Sequence, residues 1–180
     1  MKIPRSFSFV VGFLVAVAGL HAQGTAPFTF HDKPWRGLPT GPAKTEDKVR
    51  DGGAPFTLRW DAGKPGTNNI DFRFTSRDFS GYDTLSFWVY AEKATFATIQ
   101  VLFISPTTMG EADVYEADFS VDTEGKWAKY TLALDSFRKS RNPAGWDQIT
   151  GIHFTTNRHG NAPVEGTVLF FSDMQLELSK

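Results

Sequence analysis

Short segments in which apolar and polar residues alternate recur along most of the chain. The alternation is clearest in residues 70–74 and 85–90, where nearly every second side chain is large and apolar. A period of two is typical of β-strands that bury one face. Five further segments share the same β-branched and aromatic composition and are bounded by Gly, Pro, Asp or Asn: 98–104, 114–121, 127–134, 149–155 and 168–178.

The remaining sequence contains no amphipathic segment long enough for a substantial helix. Residues 23–66 are rich in Pro and Gly and predict loops with one or two strands, and only residues 134–139 would suit one helical turn. About eight to ten strands without helices predict an all-β fold, an antiparallel β-sandwich or barrel. At 180 residues, with no internal repeat, residues 23–180 are expected to form a single domain.

The register of each strand predicts which side chains face the core. In residues 85–90, Leu85, Phe87 and Val89 suit the core, which turns Trp88 and Tyr90 outward. Two outward aromatic side chains one pleat apart would form a flat platform suited to stacking on a sugar ring. The alternative is that a loop or the N-terminal segment covers them.

Polar side chains on other strands complete the predicted ligand site. Glu116 and Asp118 face outward if Tyr115 and Phe119 face inward, and His153 faces outward between Ile152 and Phe154. The loop that follows contains Arg158 and His159, which could donate hydrogen bonds to a sugar at the end of the platform. The alternative for this loop is a solvated hairpin whose Gly and Asn residues serve the turn.

Most of the 17 phenylalanines are expected to fill the core rather than contact a ligand. The inward register includes Phe72, Phe74, Phe87, Phe103, Phe119, Phe154 and one or both of Phe170 and Phe171.

The first 22 residues predict a cleaved secretory signal peptide. Lys2 and Arg5 precede an apolar stretch over residues 7–20, and Leu20-His21-Ala22 resembles a cleavage site. The uncharged stretch of about 15 residues is shorter than the roughly 20 that span a bilayer. We therefore expect a secreted or periplasmic protein that begins at Gln23 and has no membrane span.

Composition excludes several functions. The chain has no cysteine, so disulfides, thiolate nucleophiles and Cys-ligated metal sites are excluded. Its formal charge of −1, without a block of basic residues, argues against nucleic-acid binding. Glu116 and Asp118 are side by side on one strand, which does not suit two carboxylates acting on a glycosidic bond from opposite sides. We predict no catalytic residue.

Four segments, in this order and spacing, carry a resemblance to a known family. They are Asp78-Phe79-Ser80-Gly81-Tyr82-Asp83-Thr84-Leu85-Ser86-Phe87-Trp88-Val89-Tyr90, Gly125-Lys126-Trp127 leading to Leu132-Ala133-Leu134-Asp135-Ser136-Phe137, Trp146-Asp147-Gln148-Ile149-Thr150-Gly151-Ile152-His153-Phe154, and Val168-Leu169-Phe170-Phe171-Ser172-Asp173-Met174-Gln175-Leu176. Residues 72–178 thereby resemble the galactose-binding-like jelly-roll modules of secreted bacterial glycoside hydrolases and polysaccharide lyases. The resemblance implies a jelly-roll β-sandwich.

The same resemblance implies a calcium site. Such modules often hold a structural calcium ion between their first and last strands, and Asp173 resembles the last-strand ligand. Where a first-strand Glu is often found, this chain has Phe30-His31-Asp32, and imidazole is a poor ligand for a hard cation. The alternative for Asp173 is a strand-edge residue that caps a turn.

These observations predict a secreted, monomeric, non-catalytic carbohydrate-binding module for a poly- or oligosaccharide. Its partner beyond the sugar would be a polysaccharide-degrading enzyme on another chain. Two other functions stay open: a small polysaccharide lyase that uses Arg158, His159 and Tyr115, and a protein-interaction module of a surface complex.

Overall fold

The described part of the chain contains twelve strands, which form two antiparallel sheets. The computed structural model describes residues 27–37, 41–106 and 113–178, so the predicted signal peptide lies outside the described residues. The strands are β1 (Phe28–Thr29), β2 (Arg36–Gly37), β3 (Ala43–Thr45), β4 (Thr57–Asp61), β5 (Asn69–Arg77), β6 (Thr84–Ala91), β7 (Thr98–Ser105), β8 (Asp113–Ser120), β9 (Trp127–Ala133), β10 (Arg138–Ser140), β11 (Ile149–Thr155) and β12 (Val168–Glu177).

Sheet A has the strand order β3-β4-β12-β6-β9, and β1 pairs with the far end of β12. Sheet B has the order β10-β8-β7-β11-β5-β2. Every pairing is antiparallel, which confirms the predicted all-β antiparallel sandwich. The turn predicted at residues 134–139 is a 3₁₀ turn only at Leu134–Ser136, because Arg138–Ser140 pairs with β8 as an edge strand.

Aromatic rings fill the space between the sheets. Phe87 from sheet A contacts Phe119 and Phe154 from sheet B, with ring centroids 5.2 and 5.9 Å apart. All three side chains are at most 6% exposed, as their inward register predicts. Because the chain lacks cysteine, this packing is the main source of its stability.

Phe170 departs from that arrangement. It is 2% exposed, yet it lies on the outer face of sheet A, since its neighbour Phe171 faces the core. A second small apolar cluster lies on the outer face of sheet B, where Leu102, Ile104 and Val114 are buried. This agrees with the sequence of β7, which is apolar on both sides, as expected for a strand between two neighbours.

Candidate functional site

The structure separates the predicted ligand-binding residues into two groups. Trp88 and Tyr90 belong to β6 of sheet A, whereas Glu116 and Asp118 belong to β8 of sheet B. His153 lies on β11 of sheet B, and Arg158 and His159 follow that strand. The two groups are on opposite outer faces of the sandwich, so they cannot contact one ligand together, and the ligand-binding role of each residue stays a prediction. Alternation assigns a side chain to one face of its strand but does not say which sheet the strand joins.

The aromatic group forms a continuous row on sheet A. Tyr90 pairs with Phe170 on one side and with Trp127 on the other, with ring centroids 6.0 and 5.8 Å apart. Trp88 lies one pleat further along β6, beside Ser172. Sequence reasoning missed Trp127 as a member of this row, although its place at the start of a strand rich in aromatics was a usable signal.

A segment between β3 and β4 lies across this row. Residues 46–54, here called the strap, bring the Lys48 Nζ atom 5.2 Å from the Tyr90 ring centroid. The Arg50 guanidinium lies 4.6 Å from the Trp88 ring centroid. Both contacts have cation–π geometry. The strap therefore covers part of the platform, and Trp88 and Tyr90 stay half-buried.

Asp173 anchors the strap to sheet A. Arg50 Nη2 donates to its Oδ2 atom at 2.7 Å, and the Ala54 amide donates to its Oδ1 atom at 3.0 Å. The Arg50 guanidinium and the Ser172 hydroxyl keep the pKa of the Asp173 carboxyl below its usual value, against the opposing effect of partial burial. Asp173 has φ of +49° at a register shift in β12, a conformation that Asp tolerates better than most residues.

The residues around Asp173 do not fit a calcium ion. Both carboxylate oxygens already accept hydrogen bonds, and a guanidinium 2.7 Å away would repel a cation. His31, at the expected first-strand position, donates from Nε2 to the Phe56 carbonyl at 2.7 Å, and burial lowers its pKa. The described residues contain no cluster of three or more His, Asp or Glu side chains that could hold a metal.

The polar group belongs to a row of outward side chains on sheet B that is interrupted only at β7, where Leu102 is apolar. The register aligns, from one edge to the other, Arg138, Glu116, Leu102, His153, Asp71 and Arg36. Glu116 is the most connected member, because its carboxylate accepts from Arg158 Nε at 3.2 Å and from His159 Nε2 at 3.0 Å. Glu116 itself is only 6% exposed, so these contacts hold it in place.

Two depressions interrupt this face. The first, of about 420 Å³, is lined by Gln100, Glu116, Asp118, Arg138, His159 and Asn161. The second, of about 370 Å³, is lined by Arg36, Gly37, Asn69, Asp71, Arg73 and His153. Their linings combine carboxylate, guanidinium, amide and imidazole groups, which suit hydrogen bonds to a hydroxylated ligand.

His153 is uncharged near neutral pH. Burial lowers its pKa from 6.5 to about 4, an effect that Arg73 and Arg158 increase and Asp71 opposes. Its Nε2 atom donates to Asn69 Oδ1 at 3.3 Å. With Nε2 donating to Asn69, the neutral imidazole keeps Nδ1 as its acceptor.

Sequence reasoning missed several residues of sheet B. Asp71 and Arg73 occupy the outward register of a strand whose alternation was recognised, so the signal was present. Arg36 lies in a segment rich in Pro and Gly, where no periodicity marks a strand of two residues.

The alternative lyase site is not assembled. Tyr115 is 4% exposed and stacks on Trp146, with ring centroids 4.3 Å apart, so its hydroxyl is on the other side of sheet B from Arg158 and His159. Burial raises the pKa of Tyr115, which keeps its hydroxyl protonated and therefore unavailable as a base near neutral pH.

Comparison with known proteins identifies the fold. No family model and no curated protein matches the chain. Among solved structures, a family 30 carbohydrate-binding module has a TM-score of 0.65 at 14% identity and covers 86% of this chain and 100% of its own. The family 11 module of the cellulosomal cellulase Lic26A-Cel5E of Clostridium thermocellum has a TM-score of 0.57 at 14% identity, covering 86% and 95%.

A third structure, a family 28 module specific for non-crystalline cellulose, has a TM-score of 0.52 at 17% identity and covers 86% of this chain and 94% of its own. The chain therefore has the jelly-roll β-sandwich fold of these modules, which confirms the resemblance at the level of the fold. None of the described helical turns is long and apolar enough to cross a membrane.

Proposed function

We propose that the chain is a secreted, non-catalytic carbohydrate-binding module that binds a poly- or oligosaccharide on the outer face of sheet B. The observation that carries the proposal is the row of outward side chains across sheet B, which is polar on every strand except β7, with a depression toward each end. Five strand spacings separate β10 from β2, about 24 Å at the usual spacing, which is long enough for several sugar units. The jelly-roll fold, shared with carbohydrate-binding modules, supports the same function.

The site would recognise sugar hydroxyls by hydrogen bonds more than by stacking. Glu116, held by Arg158 and His159, presents a fixed acceptor, and Arg138 at 60% side-chain exposure presents free donors beside Asp118 at 3.1 Å. Without a broad aromatic contact, we expect affinities of about 10 µM to 1 mM. A weak, shallow site suits a module that keeps an enzyme on another chain close to its polymer.

The test is affinity gel electrophoresis against a panel of soluble polysaccharides, using the chain from Gln23 onward. Arg138→Ala on sheet B is compared with Arg59→Ala on sheet A, which removes the same charge from the other face. Loss of the Arg138 hydrogen bonds should weaken binding about tenfold, or about 1.4 kcal/mol, whereas Arg59→Ala should leave it unchanged.

Three outcomes would overturn the proposal. Retardation by no saccharide, together with capture of a partner protein, would favour the protein-interaction module. Loss of binding only in the Arg59 variant would place the site on sheet A. Sustained release of unsaturated or reducing sugar ends would make the chain an enzyme.

A further inference from the structure

The second depression on sheet B carries more positive than negative charge. Arg36 and Arg73 both line it, and Asp71 is its only carboxylate. Arg73 Nε donates to Asp71 Oδ2 at 2.7 Å, whereas Arg36, which pairs with Asp71 across the strands, forms no ion pair with any residue that the structure describes. Two guanidinium groups therefore flank one carboxylate.

The backbone makes room for this arrangement. Gly151 lies opposite Arg73 in the sheet, and a Cβ atom at that position would lie 2.8 Å from Arg73 Cδ and 2.9 Å from the Phe72 carbonyl oxygen. Any larger residue would displace the Arg73 side chain from β11. Glycine inside a strand weakens the sheet and often marks a place where another group approaches closely. Here it lets an arginine lie across the binding face.

The first depression differs in its charge balance. There Glu116 and Asp118 are neutralised by contacts with Arg158 and Arg138. The excess positive charge therefore lies at the Arg36 end of the row. The two ends of one binding face would therefore select different groups of the same ligand.

We propose, resting on the function proposed above, that the saccharide is anionic and that Arg36 and Arg73 bind its carboxylate or sulfate groups. Guanidinium binds such planar or branched anions through paired N–H donors, and it needs little dehydration to do so. Arg36 forms no ion pair within the described part of the chain, so its guanidinium can offer these donors. Arg73, fixed by Asp71 and by the space over Gly151, would keep its remaining donors oriented toward the ligand. The first depression would bind the hydroxyls of the neighbouring sugar units.

The experiment compares ligands that differ only in charge. Affinity gel electrophoresis is run with polygalacturonate and its methyl ester, and with dextran sulfate and dextran. We expect one anionic polymer to bind at least about tenfold more tightly than its neutral counterpart, with an affinity that falls as salt rises. Retention by polygalacturonate assigns the anion as carboxylate, and retention by dextran sulfate alone assigns it as sulfate.

The variants separate a specific subsite from general charge attraction. Arg36→Ala with Arg73→Ala should reduce binding of the anionic polymer to that of the neutral one. Lys44→Ala with Arg59→Ala removes the same charge from sheet A and should have no effect. Both pairs are on the surface, and thermal unfolding verifies that each variant is folded.

The proposal fails in two distinguishable ways. Equal binding of charged and neutral polymers, still weakened by Arg138→Ala, would show that the ligand is neutral while the saccharide-binding function stands. An equal loss in both variant pairs would attribute the preference to net charge alone. If no saccharide is bound at all, the proposed function fails with it.

Discussion

The outer faces of the two sheets differ in what covers them. On sheet A the outward register carries Tyr90, Trp127 and Phe170, and the strap brings Lys48 over the Tyr90 ring and Arg50 over the Trp88 ring. On sheet B the same register carries charged and amide side chains that line two open depressions. Both faces have residues suited to a sugar, but the strap occupies part of the aromatic face.

The comparison shows that the type of residue on a face and its accessibility to a ligand are separate questions. Aromatic side chains on an outer face need cover, because an exposed row of rings is costly in water. Charged side chains on sheet B need none, since ion pairs such as Arg73 with Asp71 leave them solvated. Accessible polar groups therefore point to the ligand better here than the rings do.

Among the tests of this comparison, Phe170→Ala is expected to have the largest effect. This side chain is 2% exposed on the outer face of sheet A. Its ring centroid lies 6.0 Å from that of Tyr90 and 6.0 Å from the Arg59 Cζ atom. If the face is as well covered as a core, removing the ring should cost about 3–5 kcal/mol in the free energy of unfolding, measured with denaturant. Saccharide binding by the folded variant should not change.

Phe96→Ala is the matched control. That ring is 72% exposed, so the same truncation should change the free energy of unfolding by no more than about 0.5 kcal/mol. A Phe170 variant as stable as the Phe96 variant would mean that the outer face of sheet A is not packed around Phe170 in solution.

His153 provides a pH test on sheet B. Because burial lowers its pKa to about 4 in the folded state, the unfolded chain binds a proton near pH 6.5 that the folded chain does not. Stability should therefore be complete above pH 6.5 and fall as the pH drops toward 4, by up to about 3 kcal/mol.

Thermal unfolding from pH 7.5 to 4 measures this loss. His153→Gln, which cannot titrate, should flatten the profile over that window and leave a smaller slope from His31, whose pKa burial also lowers. An unchanged profile would mean that the imidazole is open to solvent, and that the second depression is wider than the structure shows.

The fold could be predicted from the sequence because its main signals are local. Alternation placed strands in segments such as 85–90 and 149–155, and the inward register identified Phe87, Phe119 and Phe154 as core residues. The short edge strands β2 and β10 were beyond this method, since two or three residues cannot display a period.

The site was harder to predict because it depends on strand order. Trp88 and His153 are both outward in their strands, yet β6 and β11 belong to different sheets. The strap was also invisible in the sequence, since Arg50 and Asp173 are 123 residues apart and meet only through the fold. Long-range pairings of this kind leave no local pattern.

The smallest expected effect comes from detaching the strap. Arg50→Ala removes the ion pair with Asp173 and the cation above Trp88, and should cost about 1–2 kcal/mol in the free energy of unfolding. Arg50→Lys keeps the charge but loses the paired N–H donors. Its free energy of unfolding should therefore lie between that of Arg50→Ala and that of the original chain.

Because the chain has five tryptophans, the uncovering of Trp88 is measured as the shift of fluorescence emission to longer wavelength that Arg50→Ala causes and that is lost when Trp88→Phe is added. Calcium or a chelator should leave the unfolding temperature of the original chain unchanged, since Arg50 supplies the positive charge beside Asp173. A stabilising effect of calcium would show that a metal ion can displace the guanidinium.

The Arg50→Ala variant also tests whether the strap masks a second saccharide-binding face. If this variant bound a saccharide on sheet A, and if adding Trp88→Ala abolished that binding, the strap would be masking the aromatic face. The two sheets would then differ in whether their binding face is covered, not in whether they can bind a saccharide.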